Sequence, residues 1–260
     1  MSTADPTSTT PGFPGGTAVT HLRVYDWPAA DGLAGGSPHL HTASAEGYVV
    51  VRGEGTLETL SSAGFQETPL RPGSLLWFTP GTVHRLVNHS ADLELLVVMQ
   101  NAGLPEAGDA VLTYPPEVLA DPDAYRRATA IPAATDFDSA AEAHAAMARA
   151  ARERRDLAVD GYLTLRERVT AQGPAALHEL YQAAVGLVRD RAAGWQHQWQ
   201  RGPRAQAEAT GTHLASLAAG CGDHLSSATV YTAPPAPGPP RNGMCGLLRV
   251  WDLDGARPLQ

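Results

Sequence analysis

Between about His21 and Gln100 the chain is a succession of short apolar runs, HLRVYDW, GYVVV, GTLETL, SLLWF, HRLVN and LELLVVMQ, separated by RGEG, SSAG, RPG, TPGT and NHSAD. Runs this short, rich in β-branched and aromatic residues and cut at near-regular intervals by turn formers, specify the strands of a sandwich or barrel. Val49, Val50 and Val51 stand together, and Leu95 to Met99 is apolar throughout. That pattern predicts strands covered on both faces.

The rest of the chain has a different texture. Residues 1–17 open with MSTADPTSTTPGFPGG, polar and rich in Pro and Gly, and read as a disordered tail. The tail has neither the basic start nor the apolar stretch of a secretory signal, so a cytoplasmic location is expected. After Asn101 the segment AGLPEAGDAVLTYPPEVLADPD carries four prolines, which argue against a continuing sheet. The reading is a barrel over 18–115 and a surface connection over 116–137. From Asp138 the stretch SAAEAHAAMARAARERR lacks Gly and Pro and predicts a helix. A second helix is expected from Pro174, with Leu177, Leu180, Tyr181, Ala184, Leu187, Val188, Arg191 and Trp195 along one face. A third follows Pro203 and ends at Gly220 and Gly222. Residues 138–225 thus read as a helical subdomain or lid. Residues 226–260 read as a Pro-rich linker followed by LLRVWDL, a strand returning to the barrel.

Charge narrows the partners. With 19 basic against 27 acidic residues the formal net charge is −8, which repels a phosphate backbone, so no nucleic-acid partner is expected. No apolar run is long enough to cross a bilayer, so no membrane is expected either. Cys221 and Cys245 lie far apart in sequence, which points to two reduced thiols rather than a disulfide framework.

The chemistry-bearing residues fall inside the strand-rich part. His39 and His41 alternate with Leu40, so in an extended strand both imidazoles leave from one face and can reach one ion. Glu46 opens the next apolar run, where a carboxylate can close the shell, and His84 follows the TPGT turn at the start of another strand. Three imidazoles and one carboxylate suit a divalent Fe, Mn, Ni, Cu or Zn ion and leave coordination positions open for chemistry. Parity extends the site. Tyr48 and Val50 share the face of Glu46, Leu86 and Asn88 share that of His84, and Trp77 or its neighbours Leu76 and Phe78 completes the wall. Tyr48, Val50, Trp77 and Leu86 are the expected substrate contacts, and Glu46 and Tyr48 the candidate acid–base groups. Arg85 has outward parity, and no cluster of cations stands ready for a phosphate, so a small, partly apolar organic ligand is favoured.

His39-Leu-His41, four residues, Glu46, six residues, Gly53 resembles the first motif of the cupin superfamily. Gly73, Gly81, His84 and Asn88 resemble the second, with Gly81 three before His84 and Asn88 four after it. Where the family usually has proline two before that glycine this chain has Thr79, and Pro80 sits one place late, so an altered turn with an intact ligand is expected. The resemblance covers about residues 18 to 100. It implies a mainly β fold with added helices, a double-stranded β-helix or jelly-roll barrel, holding a metal at His39, His41, Glu46 and His84. Cupins include dioxygenases, isomerases, epimerases, decarboxylases, lyases and non-catalytic binders. A non-haem metal dioxygenase is the leading expectation. Its rivals are a metal-dependent isomerase or epimerase and a small-molecule sensor, and assembly as a homodimer is left open.

Overall fold

The computed structural model describes residues 12–253 and 255–259. Residues 1–11 of the expected tail lie outside the described residues, while Pro14–Gly16 forms a 3-10 turn leading into the first strand. The strand-rich part forms β1 (Ala18–Val24), β2 (His39–His41), β3 (Glu46–Arg52), β4 (Gly55–Ser61), β5 (Gly64–Leu70), β6 (Leu75–Phe78), β7 (Val83–Asn88), β8 (Glu94–Met99) and β9 (Ala110–Leu112). Six helices follow: α1 (Pro116–Leu119), α2 (Pro122–Thr129), α3 (Ala140–Gln172), α4 (His178–Val188), α5 (Ala192–Trp199) and α6 (Ala205–Ala218). The chain closes with β10 (Tyr231–Thr232), β11 (Arg241–Asn242), β12 (Gly246–Val250) and β13 (Arg257–Pro258).

Two antiparallel sheets face each other, in the orders β11-β12-β1-β8-β3-β6 and β5-β4-β7-β2-β9. Alternate residues point between them, and Leu22, Tyr48, Val50, Leu57, Leu70, Leu86, Leu95 and Val97 make one interior cluster. The C-terminal segment contributes to this barrel, since β12 pairs with β1 and sets Leu248 opposite Leu22. Two sequence expectations change here, and a third gains a qualification. The AGLPEAGDAVL stretch does continue a sheet, because Ala110–Leu112 pairs with β2 and sets Leu112 opposite His39. The prolines flank that strand without entering it. β3 and β8 are covered on the inner face only: Val51 is 44% exposed, and Leu96 and Val98 are partly exposed on the outer face. Arg85 points out of the barrel as its parity requires, yet it is fully buried, because α3 lies across that side.

α3 explains the second core. Ser139 caps its start by accepting from the Glu142 amide, and Gly173, at φ +82°, ends it. One stripe of the helix, Ala158, Tyr162, Leu165 and Val169, packs on Leu40, Leu60, Val83 and Val111 from the outer face of the second sheet. β7 is therefore buried at every position. Leu40, between the two histidines, faces α3 and leaves both imidazoles for the interior. The second expected helix is interrupted, since Arg189–Arg191 is a 3-10 turn between α4 and α5. Pro203 sits in a π-helical turn, Gln200–Arg204, that joins α5 to α6. α6 buries no residue, and Leu214 and Leu217 are exposed.

Candidate metal centre

Pairing brings the ligands together. β2 meets β7 with His39 directly opposite His84, and Glu46 enters from the facing sheet at the start of β3. One donor atom from each of His39, His41, Glu46 and His84 falls in a group spanning at most 4.8 Å, and all four residues are buried. Glu46 Oε2 lies 3.2 Å from His41 Nε2 and 3.1 Å from His84 Nε2. The altered turn keeps its ligand, with Gly81 at φ +87° and the Thr82 amide donating to the Thr79 carbonyl.

The backs of the rings carry the orienting contacts. His39 Nδ1 donates to the Ser37 carbonyl at 2.9 Å and His84 Nδ1 to the Thr82 carbonyl at 3.1 Å. His41 Nδ1 lies 3.7 Å from Asp109 Oδ1. Each Nδ1 thus faces an oxygen and each Nε2 faces the cluster, the arrangement that prepares imidazoles to bind a metal. Within the cluster His84 Nε2 and Glu46 Oε2 have no hydrogen-bond partner although both are buried. Unsatisfied buried polar atoms are costly, and a cation among them removes that cost. The residues fit a divalent metal, with nitrogen and carboxylate donors of the right kind.

His39 and Glu46 carry the charges a metal requires, and His41, held protonated, would release its proton to a bound ion. Burial, then the neighbouring His84 and His41, hold His39 well below the ordinary imidazole range, so it is neutral. Burial would also lower His41, but the carboxylates of Asp109 and Glu46 outweigh it and raise it to about 9. For Glu46, burial is overcome by His84 and His41, which keep the carboxylate ionised. Asp109 is likewise ionised, at about 2, because His41 and hydrogen bonds outweigh its burial.

Tyr48, Val50 and Leu86 lie in the interior as their parity requires. The Tyr48 hydroxyl is buried without a partner, and burial followed by the nearby Glu46 pushes its pKa well up, so it stays a neutral phenol. Trp77 does not line the pocket. It is 73% exposed on the outer face, and Leu76 and Phe78 take the inward places. Phe78 packs its ring 4.4 Å from that of His84. Sequence reading missed Asp109, Met99 and Cys245. Met99 stands opposite Glu46 in the register, a parity readable from Leu95 and Val97 in the same run. Cys245 is buried in the interior cluster just before β12, and nothing local to it signals that position. For Asp109 the only signal was an acid opening the AVL run.

The Cupin_2 family model, described as a cupin domain, matches residues 30–99. No curated protein matches the chain. Among solved structures, Streptomyces Pac13 with uridine is 17% identical over 40% of this chain and 70% of that one, with a TM-score of 0.29; Pac13 is described as a nucleoside dehydratase. Oxalate decarboxylase from Bacillus subtilis is 21% identical over 40% of this chain and 27% of that one, with a TM-score of 0.33. The TDP-fucose-3,4-ketoisomerase WlaRA from Campylobacter jejuni is 15% identical over 36% of this chain and 64% of that one, with a TM-score of 0.30. The matched span, residues 30–99, holds all four clustered residues, the two motifs around them and most of the two facing sheets, so that part of the chain is a cupin domain.

Proposed function

We propose that the chain is a metal-dependent cupin enzyme of the dioxygenase type, acting on a small organic substrate inside the barrel. One observation carries the reading: three imidazoles and one carboxylate converge in the buried interior, with Tyr48 the other polar side chain of the interior cluster among the described residues. Glu46 is held ionised by its histidine neighbours and is a weak base, while Tyr48 is a neutral phenol. An isomerase or epimerase needs a group that takes a proton from carbon. Neither side chain is tuned for that, which favours chemistry residing on the ion.

A redox-active divalent ion bound here supplies positive charge to the substrate and electrons to O2. The chain does the rest. His39, His41 and His84 would hold the ion, with Nδ1 of His39 and His84 fixed by the Ser37 and Thr82 carbonyls and that of His41 facing the Asp109 carboxylate at 3.7 Å. Phe78, Val50 and Leu86 exclude water and present an apolar wall, and the Tyr48 hydroxyl is the free donor for a substrate oxygen. The test is to load metal-free protein separately with Fe(II), Mn(II), Ni(II), Cu(II) and Zn(II) and to follow oxygen uptake with a panel of small enolic and aromatic substrates. Uptake with a redox-active ion and none with zinc is the expected result. Turnover with zinc and no oxygen uptake would overturn the reading in favour of an isomerase.

A further inference from the structure

A groove of about 820 Å³ lies outside the barrel, between the N-terminal turn, the segment after β8, the α5–α6 region and the returning C-terminal strand. Its wall includes Ala18, which also belongs to the interior cluster containing Tyr48 and Met99. The register places Ala18 directly opposite Met99, and Met99 directly opposite Glu46. Inward side chains directly opposite on antiparallel strands have Cβ atoms about 4.5–5.5 Å apart. The groove at Ala18 is therefore about 10 Å from Glu46, with the Met99 side chain between them. Alanine blocks little, and methionine is unbranched, flexible and readily displaced. The other walls are firmer. The strands carrying the histidines are backed by α3, and on its other side Glu46 is flanked by Phe78, packed on His84.

The groove has the chemistry of a binding site. Phe13 and Trp251 line it with rings 44% and 40% exposed. Arg241 lies on its wall and, among the described residues, has no ion-pair partner. The two acids of the wall are turned to backbone: Glu106 accepts from the Gly103 amide at 2.9 Å and Asp252 from the Gly255 amide at 3.1 Å. Gln198 Oε1 is buried there without a hydrogen-bond partner.

We propose that this groove is the antechamber of the metal pocket, that it captures a small planar carboxylate through Arg241 and the two aromatic rings, and that Met99 is the gate to Glu46. The gate rests on the metal reading; the capture site does not. Two measurements separate them. The first is calorimetric titration of metal-free protein with pyridine-2,6-dicarboxylate, a planar dianion. Binding is expected, and Arg241→Ala weakens it at least fivefold. No binding, or equal binding by the variant, overturns the capture site. The second is the chelator-dependent rate of zinc removal from loaded protein by the same dianion and by neutral 1,10-phenanthroline. Met99→Ala is expected to raise both rates about tenfold and Ala18→Phe to lower both about tenfold, with zinc loss in plain buffer unchanged. Arg241→Ala slows the dianion alone. Wild-type rates for both Met99→Ala and Ala18→Phe overturn the gate. Protein that takes up no zinc while still binding the dianion through Arg241 overturns the metal reading, and the gate with it, and leaves the capture site standing.

Discussion

Asp109 shows how one side chain outside the ligand set conditions the centre. Its Oδ1 accepts from the Thr42 and Ala43 amides at 2.6 and 3.2 Å, so the carboxylate is locked in place behind His41. Asp109→Asn keeps the shape but removes the charge that holds the His41 ring. Metal affinity is expected to fall by roughly 10–100-fold, measured by competition with a chromophoric chelator, with an unchanged circular dichroism spectrum. The ligands behave more drastically. His41→Ala and His84→Ala are each expected to lose most of the metal while the barrel still folds, because the interior apolar cluster carries the fold. Glu46→Gln is expected to retain more metal than either, since the amide keeps an oxygen donor and loses only the charge. Metal content equal to wild type in both histidine variants, by elemental analysis, would remove the site assignment. The clustering of these four residues was legible in the sequence, because strand alternation puts His39 and His41 on one face and the motif spacing resembling the cupins adds Glu46 and His84. Asp109 was not, because only the pairing of β9 with β2 carries it to His41. Trp77 was misplaced because the parity of β6 needs its partner, and the pairing of Glu46 with Phe78 supplies it.

At the scale of elements, α3 is seated by a missing side chain. A Cβ on Gly161 would stand 2.1 Å from the Thr113 carbonyl oxygen and 2.5 Å from the Tyr114 carbonyl carbon, both of them backbone atoms that cannot swing aside. The same contact is tied by the Thr113 hydroxyl, which donates to the Ala158 carbonyl at 2.9 Å. Gly→Ala inside an exposed helix ordinarily gains up to about 1 kcal/mol. Gly161→Ala is expected to do the opposite and cost about 1–3 kcal/mol through overpacking. Gly186 in α4 has nothing within 4 Å of such a Cβ, and Gly186→Ala is expected to show the ordinary gain. Urea unfolding of the two variants reads the opposite signs directly, and a gain at Gly161 would show that α3 is not held against the barrel there. The helix start was legible from Ser139 and the alanine-rich run, and the strands from their turns. The break at Arg189–Arg191 was not legible, because the apolar spacing runs through it unchanged. β9 was hidden for the opposite reason: three residues among prolines carry no period, and tertiary pairing makes them a strand.

The whole molecule is a barrel whose second sheet depends on the helices for cover. Leu40, Leu60, Val83 and Val111 on its outer face meet α3 and its neighbours. Among them lies a buried charge cluster, with Arg85 bonded to Asp31 at 2.6 and 3.2 Å and 3.5 Å from Glu58. Arg166 of α3 reaches Glu58 at 3.3 Å. Charges buried in this way are tolerable only while paired, and removing one partner typically costs about 3–5 kcal/mol. Arg155 of α3 adds a second tie, donating to the carbonyls of Trp27, Pro28 and Gly35. At the other edge, β12 completes the first sheet and brings Cys245 into the interior. A chain ending at Asp136 would keep all four metal ligands and lose α3, β12 and Cys245 together. It would bare the apolar outer face, leave Asp31 and Glu58 to share the single charge of Arg85, and open the barrel beside β1. Such a truncated protein is expected to aggregate on size-exclusion chromatography and to bind metal and ligand more weakly than the full chain. If it is instead soluble, metal-loaded and as stable as the full chain, the helices form a separable module, and the balance moves from an enzyme with an integral helical layer to a barrel that reports its ligand through one.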